Sequence, residues 1–187
     1  MGPSRIIIPY VRGGLQVSTE VWGERNSAEF YDLTGWPEGY FHLLARLWHD
    51  GEAFMVVEQD ITPPDNAVEG IALCQEPWCG HPYQYQPTNP ELDMLLFGEL
   101  GLTRFSQALL CSLPYAVLES EELVLEAPFS NEAPRHFMRL ARRLRLQLQG
   151  RGVRFHPHSP VAKHYRPSPQ GGGRWFESGA DTAVRGG

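Results

Sequence analysis

The chain has 187 residues, of which 42% are hydrophobic and 11% aromatic, and its formal net charge is −6. This composition excludes general disorder and predicts one domain with a sizeable core. The acidic balance argues against nucleic-acid binding over the whole surface. No apolar run is long enough to cross a membrane and the amino-terminal one is too short for a signal peptide, so we expect a cytoplasmic protein.

The first sixty residues predict two strands, a helix and a third strand. Residues 5–11 predict an opening strand, ended by a glycine pair, and residues 29–33 a weaker second strand. Over 38–49 the apolar residues recur every three or four positions, which predicts an amphipathic helix. The β-branched and aromatic run at 54–57 predicts a third strand. This order is typical of an α/β fold with a largely parallel sheet.

The remaining chain predicts shorter elements and an irregular end. Leu140, Leu144 and Leu148 recur on one face of the predicted last helix and are expected to face the core. The composition beyond residue 166 predicts a flexible tail over 167–187, after a single domain over 1–166. The predicted elements are a strand over 68–74, a long loop over 75–90, a strand over 92–97, a helix over 103–113 with Thr103 as N-cap, a helix over 134–149 and a strand over 153–155.

Two carboxylates follow the third predicted strand, in the sequence Glu58-Gln59-Asp60. Residues i and i+2 of a strand point to the same side, so Glu58 and Asp60 are expected to face one cleft while Gln59 points away. Carboxylate oxygens suit Mn²⁺ or Mg²⁺ carrying a diphosphate. The motif therefore predicts a divalent-cation site at this strand exit, with solvated surface charges as the alternative.

Three histidines lie close together near the end of the chain, at His156, His158 and His164. Imidazole is an ordinary ligand of Mn²⁺ and Zn²⁺, so one of them could complete the shell of the ion held by the carboxylates. The rival hypothesis is a three-histidine zinc site in which the carboxylates take no part.

The three cysteines and the arginines give weaker signals. Cys74 and Cys79 are separated by four residues, which is not the close spacing of a zinc ribbon, so reduced thiols are expected for these two and Cys111. Residues 135–154 carry seven arginines and no acid. That segment is either a solvated helix face or a basic stripe that tracks a phosphate backbone.

The opening strand, the amphipathic helix, the apolar strand ending in acid-x-Asp, the aromatic loop and the late histidine together resemble a small nucleotide-sugar glycosyltransferase of the GT-A fold. Residues 76–79 and 100–106 are similar to segments of short bacterial and phage glycosyltransferase-like proteins. The family motif is most often Asp-x-Asp, so Glu58 is left open as a ligand of metal or of sugar. The resemblance, over residues 5–165, implies a three-layer sandwich with a mostly parallel central sheet and a disordered carboxyl-terminal tail.

The resemblance also implies roles for individual residues. A divalent cation, Mn²⁺ or Mg²⁺, would be held by Asp60 aided by Glu58, with His164 as the third protein ligand and His158 as its alternative. A weak candidate for the general base is Glu99. The implied nucleotide-binding residues are Pro9, Tyr10, Val11, Asp32 and Gln59, and the implied acceptor-binding residues are Trp78, His81, Tyr83 and Arg104.

Three hypotheses follow for function. The first is a metal-dependent glycosyltransferase that moves a sugar from a nucleoside-diphosphate sugar to an acceptor hydroxyl on a modified DNA base, a glycan or a small molecule. For a DNA acceptor, the arginine-rich helix is the expected backbone contact. The alternatives are a metal-dependent hydrolase that uses the three histidines with Asp60, and a non-catalytic binding domain.

Overall fold

A computed structural model of the chain describes residues 4–85, 94–96, 100–113, 133–167 and 173–176. In those ranges no helix is both long enough and apolar enough to span a membrane. The helices are α1 Val17–Arg25, α2 Gly39–Asp50, α3 Ala67–Ala72, α4 Gln107–Ser112 and α5 Ala133–Gly150. The strands are β1 Arg5–Tyr10, β2 Glu29–Asp32, β3 Phe54–Val57, β4 Ile61–Thr62, β5 Trp78–Gly80, β6 Tyr83–Tyr85, β7 Met94–Leu96, β8 Leu102–Phe105, β9 His156–Pro157, β10 Lys163–Pro167 and β11 Gly173–Phe176.

The main sheet has six strands in the order β2-β1-β3-β8-β5-β9. β1 pairs in parallel with β2 and β3, and β5 pairs in parallel with β9, whereas β8 runs antiparallel between β3 and β5. Five strands therefore share one direction. Two smaller sheets flank this one, with the orders β11-β10-β4 and β6-β7. The predicted α/β class with a mostly parallel sheet is confirmed.

Alternating side chains of the central strands supply two separate cores. Ile7 and Phe54 pack with Leu44 of α2 and Leu144 of α5 on one face. On the other face Ile8 packs with side chains from α1 and α3, among them Trp22 and Ile71. Because both faces are covered, β3 is buried at every position, as expected of a continuous apolar run. Fully burying each such side chain contributes roughly 1.5–3 kcal/mol.

The chain reverses its direction of travel across the sheet at β1. From β1 it passes through α1 to β2 on one side, then through α2 to β3 on the other side of β1. The carboxyl ends of β1 and β3 thus lie at a topological switch point. In open α/β sheets this is where ligands bind.

Two predicted elements have the wrong type. Residues 67–72 form α3 instead of a strand, because Ala67 and Ile71 lie one helical turn apart and are both buried. The helix predicted over 103–113 begins only at Gln107, after β8. Its N-cap is Ser106, whose side chain accepts a hydrogen bond from the backbone N–H of Leu109, and Thr103 lies within the strand.

Other boundaries also differ from the prediction. The stretch 75–90 contains β5 and β6 rather than only a loop, and α1 has no counterpart among the predicted elements. The strand expected over 153–155 is instead β9. Within the predicted tail, Gly173–Phe176 forms β11, paired antiparallel with β10. The last helix is as predicted, with Leu140, Leu144 and Leu148 all buried.

Candidate functional site

Gln59 joins the exits of β1 and β3. Its side-chain Oε1 accepts a hydrogen bond of 2.7 Å from the backbone N–H of Val11, and its backbone carbonyl accepts one of 2.9 Å from Gln16. The side chain packs against Gly14, where an added Cβ would lie 2.6 Å from the amide group. Gln59, which the resemblance implies as a nucleotide-binding residue, thus lies at the switch point and holds the β1–α1 loop in place.

Asp60 and His164 lie side by side next to this loop. Asp60 Oδ2 is 3.5 Å from His164 Nε2, and the side chains are 32% and 11% exposed. The pairing of β10 with β4 brings His164 opposite Ile61, and the N–H of Tyr165 donates to the carbonyl of Asp60 over 2.7 Å. The structure therefore brings together the acid and the histidine that the sequence singled out.

Glu58 faces a different neighbour. The hydroxyl of Tyr40 in α2 donates to Glu58 Oε1 over 3.1 Å. Burial, and then the charge of Glu58, raise the pKa of Tyr40 well above its usual range, so this hydroxyl keeps its proton. The strand ends at Val57, and a turn closed by Ile61 N–H to Glu58 C=O follows. Strand alternation therefore does not apply to Glu58 and Asp60, but the charges of both carboxylates raise the pKa of Tyr40. Their expected pairing in one cleft stays a prediction.

The exits of β1 and β2 carry the other implied nucleotide-binding residues. Pro9 is buried in β1, and Tyr10 packs edge-on against Phe30 with the ring centres 6.5 Å apart. Asp32 is exposed at the end of β2, where Thr34 N–H and Arg12 Nε donate to its two oxygens. The hydrogen bonds from Thr34 hold the pKa of Asp32 below its usual value.

The implied acceptor-binding residues are mostly buried. Trp78 is 1% exposed, donates to Thr103 Oγ1 and packs edge-on against Phe155, so it offers no free ring face to a sugar. Arg104 is 4% exposed and donates to Ser4 and to the carbonyls of Cys74 and Glu76. Both side chains lie inside the protein because β5 and β8 are inner strands, not an exposed loop.

His81 and Tyr83 are also buried, at 3% and 8% exposed. The Tyr83 ring lies 5.2 Å from that of His164, so this tyrosine borders the Asp60–His164 pair. It also fills the space beside Gly101, where a side chain would collide with it. Glu99, the candidate base, lies outside the described residues. On α5, Arg142 is exposed and Arg143 and Arg145 are partly exposed.

A second group of ligand-type side chains lies elsewhere on the sheet. Cys74, Cys79 and His158 bring their thiol and imidazole ligand atoms within 4.8 Å of one another, and this is the sole group of three such residues within the described ranges. It excludes His81, His156 and His164, so the three late histidines do not gather into one site, and His158 belongs with the cysteines rather than with Asp60. The spacing of the cysteines along the chain hid this group.

Several contributors carry no recognisable sequence signal. Tyr40 reads as one apolar position of an amphipathic helix, yet its hydroxyl holds Glu58. The backbone of Tyr165 holds Asp60 from a strand that the sequence did not predict. Thr19 is fully buried in α1 and donates to the carbonyl of Ile61, which fixes the segment after Asp60.

Comparison with known proteins gives little beyond the geometry. No protein-family model matches the chain, and no curated protein matches it. One solved structure, titled "Crystal Structure of A197 from STIV", aligns over 92% of this chain and 93% of its own, with 14% sequence identity and a TM-score of 0.44.

Proposed function

We propose that the protein is a metal-dependent glycosyltransferase that uses a nucleoside-diphosphate sugar. The observation that carries the proposal is the Asp60–His164 pair, 3.5 Å apart, beside the switch point between β1 and β3. A nucleotide bound across a switch point would direct its diphosphate to the end of the neighbouring strand. The strand order and this pair together support a GT-A-like architecture.

The donor atoms of the pair fit a divalent cation. Ligands of one ion, each about 2.0–2.2 Å from it, lie roughly 3 Å apart, so a shift of a few tenths of an ångström would let Asp60 Oδ2 and His164 Nε2 share it. One carboxylate and one imidazole suit Mn²⁺, which leaves other positions to water and diphosphate oxygens. A bound cation would stabilise the negative charge that develops on the leaving diphosphate.

The other residues at the switch point would bind and orient the nucleotide-sugar donor. Gln59 fixes the backbone after β1, so Tyr10 and Val11 would border the nucleoside on a preorganised loop. Asp32 is exposed and aimed by Thr34, so its carboxylate could accept hydrogen bonds from ribose hydroxyls. Glu58, held by Tyr40, would remain beside the sugar or the ion as a fixed negative charge.

Nucleotide binding by the Asp60→Ala variant tests this proposal. Thermal shifts would be measured with a panel of nucleoside diphosphates, with and without Mn²⁺. We expect the parent to be stabilised by one nucleotide only when Mn²⁺ is present, and this shift to disappear in Asp60→Ala and His164→Gln. Glu58→Ala should have a milder effect. Asp60 is partly exposed, and its backbone carbonyl still accepts the hydrogen bond from Tyr165 N–H in the alanine variant, so the fold should persist.

The matched control is Asp65→Ala, which removes an exposed acid in the connection between β4 and α3. It should bind nucleotide as the parent does. An Mn²⁺-dependent shift of the same size in Asp60→Ala would exclude the pair as the cation site. Release of nucleoside diphosphate from a nucleotide-sugar, followed with and without candidate acceptors, then separates transfer from hydrolysis.

A further inference from the structure

Cys74, Cys79 and His158 come from three separate parts of the chain. Cys74 follows α3, Cys79 is the middle residue of β5, and His158 directly follows β9. Parallel pairing of β5 with β9 sets Cys79 opposite His156 and Gly80 opposite Pro157, and the N–H of His158 donates to the carbonyl of Gly80. The backbone of His158 is therefore fixed by the same strand that carries Cys79.

Strand alternation places the side chain of His81 on the same face of the sheet as Cys79. Cys79 and His81 are two residues apart along one extended strand, since the N–H of His81 still pairs with the carbonyl of Leu102 beyond β5. They point to the same face of the sheet. His158 is the next residue after the β5–β9 register and meets His81 there, with the ring centres 5.5 Å apart. Two thiols and two imidazoles thus share one face at the edge of the sheet.

The imidazoles present ligand atoms that have no partner. Nε2 of His158 and Nε2 of His81 are both shielded from solvent, and neither makes a hydrogen bond to the described residues. His81 is 3% exposed, and its Nδ1 lies 2.6 Å from the carbonyl oxygen of Pro160. Because a carbonyl only accepts, Nδ1 carries the proton and Nε2 presents a bare lone pair. Metal-bound histidines are typically oriented in this way, and a buried polar atom without a partner requires an explanation.

We propose that Cys74, Cys79 and His158 bind a structural zinc ion, and that His81, whose ligand atoms lie outside this group of three, takes the fourth position after a shift of its side chain. In a tetrahedral zinc site the sulfur atoms are about 2.3 Å and the nitrogen atoms about 2.0–2.1 Å from the ion, which puts the ligand atoms roughly 3.3–3.8 Å from one another. The 4.8 Å limit that encloses the three ligand atoms leaves only a small adjustment on binding.

The chemistry of these donors selects a different ion from that of the Asp60–His164 pair. Thiolate with imidazole favours zinc, whereas manganese and magnesium prefer oxygen. A thiol must lose its proton to bind zinc, and Arg104, which lies opposite Cys79 in the pairing of β5 with β8, donates to the backbone carbonyl of Cys74. Zinc uptake would therefore release thiol protons, and the resulting thiolate charge would lie beside the buried guanidinium of Arg104. The inference does not depend on the proposed transferase activity.

Zinc bound at this group would stabilise the pairing of β9 with β5. β9 is a two-residue edge strand, and among the described strands it pairs only with β5. Residues 114–132 and α5 separate it in sequence from β8 and α4, so its register depends on contacts with distant parts of the chain, such as the hydrogen bond from His158 N–H to the carbonyl of Gly80. A zinc ion joining His158 to the cysteines would fix the position from which the chain continues to β10.

Metal analysis of the purified full chain, prepared without a histidine tag, tests the proposal. Zinc content is measured by mass spectrometry, and zinc affinity by competition with a chromophoric chelator. The variants are Cys79→Ser and His158→Ala. Cys111→Ser is the matched control because Cys111 is an exposed thiol of α4. Asp60→Asn is the control for the other site. Replacement of zinc by Co²⁺ in the parent reports thiolate ligation through its charge-transfer absorption, which does not depend on any variant folding.

We expect one zinc per chain in the parent, in Cys111→Ser and in Asp60→Asn, together with a cobalt–thiolate band. In Cys79→Ser and His158→Ala the affinity should fall by more than the roughly 10–100-fold that is typical of losing an outer-shell contact. A parent chain that binds no zinc, or that contains a Cys74–Cys79 disulfide, would overturn the proposal. So would zinc that is lost in Asp60→Asn but retained in both ligand variants.

Discussion

Two parts of the fold hold two different kinds of donor group. Beside β1 and β3, Asp60 and His164 offer one oxygen and one nitrogen in a partly open position. At the β5–β9 edge, Cys74 and Cys79 are buried with His158 beside them. An open pair with few protein ligands suits an ion that must exchange and carry a substrate, whereas a closed thiolate set suits an ion that stays. One sheet can thus support chemistry at a switch point and stability at an edge.

Gly80→Ala should have the largest effect on the free energy of unfolding. It disrupts the β5 side of the comparison and leaves the β1–β3 side unchanged. A Cβ at Gly80 would collide with the carbonyl oxygen of Leu102 and lie 2.9 Å from the Cα of Thr103, both backbone atoms of β8. We expect a loss of about 3 kcal/mol or more in unfolding free energy, measured by urea denaturation. The matched control is Gly70→Ala within α3, where a Cβ meets nothing within 4 Å and a gain of about 0.5–1 kcal/mol is expected. Equal stabilities for the two variants would contradict the close approach of β5 and β8.

Gln59→Ala should have the next largest effect on the free energy of unfolding, and it acts on the β1–β3 side. It removes the acceptor of the Val11 N–H and empties the space beside Gly14, so we expect a loss of about 1–2 kcal/mol in unfolding free energy. Hydrogen exchange should increase at Val11 and Gln16 and remain unchanged at His158. Gln75→Ala, which removes an exposed glutamine whose side chain donates to the nearby carbonyl of Leu73, is the control and should have little effect. Unchanged exchange at Val11 would mean that Gln59 does not hold this loop.

Tyr40→Phe isolates the hydrogen bond to Glu58. The ring stays in the core and only the buried O–H is lost, so the expected cost is about 1 kcal/mol of unfolding free energy. If Glu58 serves the proposed donor site, Mn²⁺-dependent nucleotide binding should weaken while zinc content stays the same. Weaker zinc retention in this variant would show that the two regions are coupled rather than separate.

The smallest effect is expected far from both donor groups, at the Arg5–Glu29 pair of β1 and β2. Arg5 donates to both carboxylate oxygens, and this bonding lowers the pKa of Glu29. A lowered folded-state pKa means that the unfolded state binds more protons at acid pH. The stabilisation is therefore complete above about pH 4.5 and is lost as the pH falls through the lower folded-state value.

Glu29→Gln should accordingly cost no more than about 1 kcal/mol at neutral pH, because Glu29 is 41% exposed and screened by solvent. The difference from the parent should be present in full at pH 7 and should be smaller at a pH below about 4.5. Denaturation curves at both pH values measure it, with Glu24→Gln, an exposed acid of α1, as the control. A difference that stays the same at low pH would assign the effect to packing instead of charge.

The sequence supports prediction best where one chemical pattern decides one structure. The apolar run of β3 and the leucines of α5 have strong periodicity, so their type and buried faces follow directly. Thr19 and Gly23 are buried in α1, but weak helix formers obscure its pattern. The apolar residues of α3 are too few to separate helix from strand, and only packing of Ala67 and Ile71 decides between them.

The candidate sites show the same division. Asp60 and His164 could be selected because each residue type has a known affinity for cations and each follows a predicted element. Their adjacency depends on β10 pairing with β4, which no local signal predicts. The group of Cys74, Cys79 and His158 was not predicted, because spacing along the chain does not show which residues meet once β5 and β9 lie side by side. Trp78 has the aromatic side chain of a sugar-stacking residue, but it is buried because it lies in an inner strand.

The pairing of β10 with β4 has a consequence for the order in which the protein is made. Asp60 emerges from the ribosome early, with β1 to β3, but His164 arrives only after most of the chain has been synthesised. Contacts between such distant segments close slowly, after local helices and neighbouring strands have formed. The nascent protein can therefore build the switch point beside Gln59 while the Asp60–His164 pair is still incomplete. Cation binding at that pair would thus be acquired last, as the final strands dock.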